Sequence, residues 1–217
     1  KPDRYVYDPL DLRPAELEKA EVRSSLTDQR YPLNTFGNGV IIMSGLNPVS
    51  SPGAISVLAT TLLSGTNAVY LSTGGAIQGA GVNSTLNATL DNTITINDGV
   101  AMNSFGTVSI GTYTVSTAST KSLVSTWGVA AVGVAVATTN VETNQTVTVG
   151  DADIFGFDNV YVTAGRYGFG YYDTIITGVA DAHGYIRGVI AVPDATERTN
   201  LVNNTTMSLA AGGTMSS

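Results

Sequence analysis

The chain has 217 residues, a formal net charge of −7, 43% hydrophobic residues, only 12% charged ones and no cysteine. The hydrophobic share supports a buried core in one or two domains, and the Gly, Ser, Thr, Asn and Val that stand in for charge are a strand-and-turn composition. Only four Lys or Arg lie beyond residue 30. That argues against nucleic-acid backbones and anionic membranes as partners, and without thiols there is neither a disulfide framework nor a thiolate metal site.

Residues 1–30 hold six basic and seven acidic side chains, whereas residues 31–90 hold none. Segment 1–45 is therefore expected as a charged linker or cap, with a short helix over Ala15–Val22 behind Pro14, which suits a first helical turn. In 31–90, Gly, Ser, Asn and Pro break each apolar run well short of the roughly 20 residues a membrane helix needs, so no span is expected. The chain starts at Lys1 without a signal-peptide pattern and ends within a repeat, which leads us to expect a piece of a longer protein.

From about Ile55 onward apolar residues alternate in short runs bounded by Gly, Asn and Asp, the pattern of strands. The clearest are Val69–Leu71, Thr93–Ile96, Val108–Ile110, Thr146–Val149, Val160–Val162 and Thr206–Leu209. They recur in a fixed order: Ile94 to Val147 is 53 positions, Val108 to Val160 is 52, and Val147 to Met207 is 60. The apolar strand Gly128–Val136 is matched to Gly184–Val192, 56 positions on. A fixed period with uneven spacing favours a solenoid, which tolerates corner insertions, over a propeller. The period exceeds a usual solenoid turn, so we expect two or more turns per unit, each of about 20 residues, and roughly eight rungs in the rod. The expected architecture is all-β, a parallel β-solenoid over residues 46–217.

Two segments resemble the filamentous haemagglutinin-like large exoproteins of bacteria. Asn67–Ile77 is similar to that family's strand and glycine-rich "GGxI" turn, and Thr146–Ile154 leading into Asn159–Ala164 is similar to its "TVxIGDxAxI…DVxVxA" coil pair. The resemblance covers roughly residues 55–217. It implies a right-handed parallel β-helix, export to the extracellular space or bacterial outer surface, and an adhesive or structural role. The expected partners are like chains or neighbouring repeats, since unpaired strand edges invite association, and host or matrix surface components.

Candidate chemistry is sparse. His183 is the only histidine, with Asp181 two residues before it, and no nucleophile-elbow spacing accompanies them. Asp151, Asp153 and Asp158 are candidates for a calcium site, but Asp and Asn also form turns through local backbone hydrogen bonds, the reading we prefer. No cofactor is called for and no catalytic residue stands out. Phe155, Phe157, Tyr167, Phe169, Tyr171 and Tyr172 form the densest aromatic cluster, a candidate interaction surface or else an aromatic ladder on strand exteriors. The sequons at Asn83, Asn87, Asn144 and Asn204 are expected by chance in such a composition, and Asn and Thr suit hydrogen-bonded ladders between rungs instead. The expectation is a non-enzymatic surface protein. The alternatives are a self-assembling filament or sheath subunit and a carbohydrate-active β-helix enzyme, which would show paired carboxylates in a groove.

Overall fold

The structure, a computed structural model, describes residues 19–24, 28–43, 49–51, 53–168 and 172–217. The chain runs repeatedly round three sheets. Sheet A receives β1 (Lys19–Ser24), β4 (Ile55–Gly74), β7 (Val108–Trp127), β10 (Val160–Thr163) and β13 (Ile175–Arg187), joined by the two-residue strands β11 (Arg166–Tyr167) and β12 (Tyr172–Asp173). Sheet B receives β2 (Asp28–Met43), β5 (Ile77–Ile96), β8 (Ala130–Val149) and β14 (Ile190–Leu209). Sheet C receives β3 (Val49–Ser51), β6 (Ala101–Ser104), β9 (Asp153–Gly156) and β15 (Thr214–Ser216). Each circuit visits A, B and C in turn, and apart from the short β11 and β12 every strand pairs in parallel with its counterpart one circuit away. The architecture is solenoid-like: coil 1 begins at Ile55, coil 2 at Val108 and coil 3 at Val160, with β1 to β3 as a leading layer.

The 53-residue unit is one coil, which corrects the expectation of two or more turns per unit. Ile55 pairs with Val108 and Ile77 with Ala130, each 53 positions on. Twenty-residue strands make this possible. At about 3.3 Å per residue each long face spans about 65 Å, and a third strand of four residues closes one end. The rod therefore has a few broad rungs in place of eight narrow ones. The 56-position match is corrected as well: Ile190 pairs with Ala130, so Gly188–Val192 repeats Gly128–Val132 and Gly184–Arg187 ends the preceding strand. Of the expected helix, Ala15–Glu18 lies outside the described residues, and Lys19–Val22 is strand, paired with Ser64–Asn67. Segment 1–45 contributes β1 and β2 to the stack.

Period-2 alternation puts one face of each strand inside. Odd residues of β4 and β8 and even residues of β5 and β7 point into the coil. Ile55, Val57, Ile94, Ile96, Met102, Val108, Ile110, Val147 and Ile154 cluster at the three-sided end. Leu63, Leu86, Leu90, Ala118 and Val141 form a middle cluster, and Val69, Leu71, Val82, Val124 and Ala135 a third toward the arch where sheet A turns into sheet B.

Polar stripes separate these clusters. In one, Asn92 is fully buried. Its Nδ2 donates to the Tyr113 carbonyl at 3.0 Å and to Thr114 Oγ1 at 2.8 Å, and its Oδ1 accepts from the Thr61 hydroxyl at 2.8 Å. Thr61 stacks under Thr114 and Asn92 under Gln145, so the stripe runs from coil to coil. In the other, the Thr139 hydroxyl bridges Thr120 Oγ1 at 2.6 Å and the Val179 carbonyl at 2.8 Å. Buried polar groups are tolerated because they find partners, and here many of the partners lie in the next coil.

Candidate interaction surface

The uneven spacing has a local cause. Thr163 pairs with Gly111 and Ile175 with Val115, so coil 3 spends residues 164–174 where coil 2 spends residues 112–114. The described residues of this insertion pair as a two-strand hairpin. Arg166 pairs antiparallel with Asp173, and Tyr167 with Tyr172. The Arg166 guanidinium meets the Asp173 carboxylate at 2.6 Å, closing the base with an ion pair open to solvent. Arg166 bridges to Thr112 of β7, and the Tyr167 side chain reaches along the outer face of sheet A, where its hydroxyl hydrogen-bonds Ser56 of β4, two strands away. Gly111 makes room for this approach, since a Cβ there would sit 2.6 Å from the Arg166 carbonyl oxygen.

The aromatic cluster read from sequence thus falls on two elements. Tyr167 and Tyr172 belong to the hairpin, while Phe155 projects from β9 and Phe157 from the corner after it, both exposed. Phe169 and Tyr171 lie outside the described residues. Sequence reasoning missed Phe105. Its amide bonds to Ser51 as that of Phe157 bonds to Ser104, so the two phenylalanines hold the same corner of successive coils, 73% and 65% exposed. The 52-residue offset between them was the available signal.

Behind the hairpin, at the open end of coil 3, is a cavity of about 600 Å³ lined by Arg166, Asp173, Thr174, Asn203, Thr205 and Met207 among others. Its floor continues the polar stripe: the buried Gln145 side-chain amide donates to Thr174 Oγ1, and Gln145 stacks under Thr205.

Two of the three aspartates bond along the stack through their carboxylates. Asp151 Oδ1 accepts from the Gly212 amide at 3.0 Å, and Asp153 Oδ1 from the Thr214 hydroxyl at 2.6 Å. Asp158 is exposed at the next corner, where its amide donates to the Gly106 carbonyl at 3.3 Å. Among the described residues no three His, Asp or Glu side chains converge as a metal-ligand set.

His183 and Asp181 do meet. On the outer face of sheet A, His183 Nε2 lies 2.5 Å from Asp181 Oδ1, Lys121 Nζ lies 3.2 Å from the other carboxylate oxygen, and the imidazole stacks on Tyr185. Three of the four sequon asparagines sit in ladders on sheet B. Asn140 donates to Asn87 at 2.7 Å, Asn144 to Asp91 at 2.8 Å, and Asn204 to Asn144 at 2.9 Å.

No family model matches the chain, and neither do the curated proteins or the solved structures it was compared with. Among the described residues no helix is long and apolar enough to cross a membrane.

Proposed function

We propose that this chain is part of a secreted bacterial surface protein with a structural and adhesive role, its coils wound as a right-handed parallel β-helix. The observation that carries the reading is the contrast between scaffold and insertion. Coils 1 and 2 repeat in register over both long faces, and the departure in coil 3 is an insertion rich in glycine and aromatic residues whose Tyr167 side chain lies on the outer face of sheet A. Loops on rigid scaffolds carry contacts, and tyrosine supplies contact area at low entropic cost. The likeness of Asn67–Ile77 and Thr146–Ala164 to haemagglutinin-like exoproteins supports the same reading, and the contact would be with a host or matrix surface component.

A scaffold accounts for the carboxylates better than an enzyme does. Asp91, Asp98, Asp151 and Asp153 are engaged in bonds between coils, whereas a glycosidase holds two of them free across a groove.

The test is a variant in which residues 164–174 are replaced by Thr-Tyr-Thr, the coil 2 equivalent. Beads coated with the wild-type chain are expected to bind epithelial monolayers or immobilised matrix proteins, and beads coated with the variant, equally folded by circular dichroism, to lose most of that binding. Equal binding, or none by the wild type, overturns the proposal.

A further inference from the structure

The open edges of the stack differ from the strands between them. Among the described residues two prolines lie within strands, Pro32 in β2 and Pro193 in β14, and these are the edge strands of sheet B. Backbone parity fixes where each nitrogen points. Ile190 and Ala210 donate to the Val129 and Val149 carbonyls of coil 2, so even-numbered residues of β14 turn their amides toward β8 and Pro193 turns its nitrogen to the open side. The Met43 carbonyl accepts from Asn97, so odd-numbered residues of β2 face β5 and Pro32 also points outward. Each proline deletes a donor that an added strand would need.

Glu197 makes a second barrier. Its register places it over Ala137, which lies over Ser84, both fully buried and inward-facing. Its carboxylate accepts the Ala182 amide at 3.0 Å. Gly128 donates to the Arg187 carbonyl, so odd residues of β13 face β7, and the Ala182 amide is one that points out of the open edge of sheet A. The carboxylate thus reaches from sheet B to sheet A and occupies an edge donor. A coil stacked on top would bury this charge at a core position, at a large desolvation cost. The counterparts of Pro193 are Gly133 and Ala80, so the repeat itself demands neither residue.

We propose that the face of coil 3 formed by β13 and β14 rejects in-register stacking of a second copy of this chain, leaving the sides of the stack and the hairpin as its contact surfaces. This is independent of the adhesive reading and runs against the filament alternative. The test compares the wild-type chain with Pro193→Gly/Glu197→Ala, which restores the coil 2 residues, by sedimentation velocity over a concentration series and by negative-stain microscopy. The wild type is expected to stay a single stack. The double variant is expected to associate end to end on the order of a hundredfold more tightly. Wild-type rods longer than one stack, or identical sedimentation of the two folded proteins, would overturn the proposal. If the double variant does not fold, Glu197→Ala alone carries the same comparison.

Discussion

Asp98 and Asp151 hold the same corner of successive coils, and each gives its carboxylate to the coil above. Asp98 Oδ1 accepts the Asp151 amide at 2.8 Å, and Asp151 Oδ1 accepts the Gly212 amide at 3.0 Å. The residue before Asp151 is Gly150, where a Cβ would fall 2.2 Å from the Asp98 oxygen. Asp98→Ala should therefore lower stability by about 1–2 kcal/mol, a charge-assisted bond lost at a solvent-facing site. Asp158→Ala should cost under about 0.5 kcal/mol. Denaturant melts of the two variants make the comparison, and equal losses would remove Asp98 from the ladder.

The same ladder sets the expectation for calcium. With Asp151 and Asp153 engaged by Gly212 and Thr214, adding calcium or EDTA should move the melting temperature by less than about 1 °C. A rise of several degrees with calcium, abolished in Asp151→Asn, would establish a metal site there.

Asn92 is the buried residue on which three hydrogen bonds converge. Asn92→Leu keeps the volume close but strips the Tyr113 carbonyl and two threonine hydroxyls of their partner, and should cost about 2–4 kcal/mol. Asn87→Leu, on the outer face of the same strand, should cost under about 1 kcal/mol. The difference is read in urea unfolding midpoints.

Gly111→Val should dislodge the hairpin while leaving the stack intact. The expected result is faster proteolytic cleavage within residues 164–174, with circular dichroism unchanged. Global unfolding would show that the hairpin is integral to the core and not laid upon it.

Much of this was legible in the sequence, and the miscounted rungs have one physical cause. Ile94 and Val147, chosen by alternation alone, are register partners, and Gly75-Ala76 is the turn between two strands. The boundary residues misled, because Gly, Asn and Asp between apolar runs read as turns. In the structure Asn92, which bounded the Thr93–Ile96 run, is fully buried inside β5 and bonded across the coil and to the next one. Taking such residues for turns cut each twenty-residue strand into shorter ones and multiplied the rungs. The hairpin lay within the aromatic cluster, but its placement on sheet A depends on Gly111 and Ser56, which no local pattern connects to it. Glu197 and Pro193 acquire meaning only once the register shows which residues they replace.

One repeat is one coil, with Asn87 directly beneath Asn140. The chain has no cysteine, so Asn87→Cys/Asn140→Cys tests it without interference. Neighbouring parallel strands lie about 4.8 Å apart, within the range a disulfide can bridge. Mild oxidation is expected to form the intramolecular disulfide readily, seen by mass spectrometry of peptides linked across 53 positions. Two or more coils per repeat would hold the two cysteines at least about 9.6 Å apart, and a folded double variant with both thiols free would show that Asn87 and Asn140 are not neighbours in successive coils.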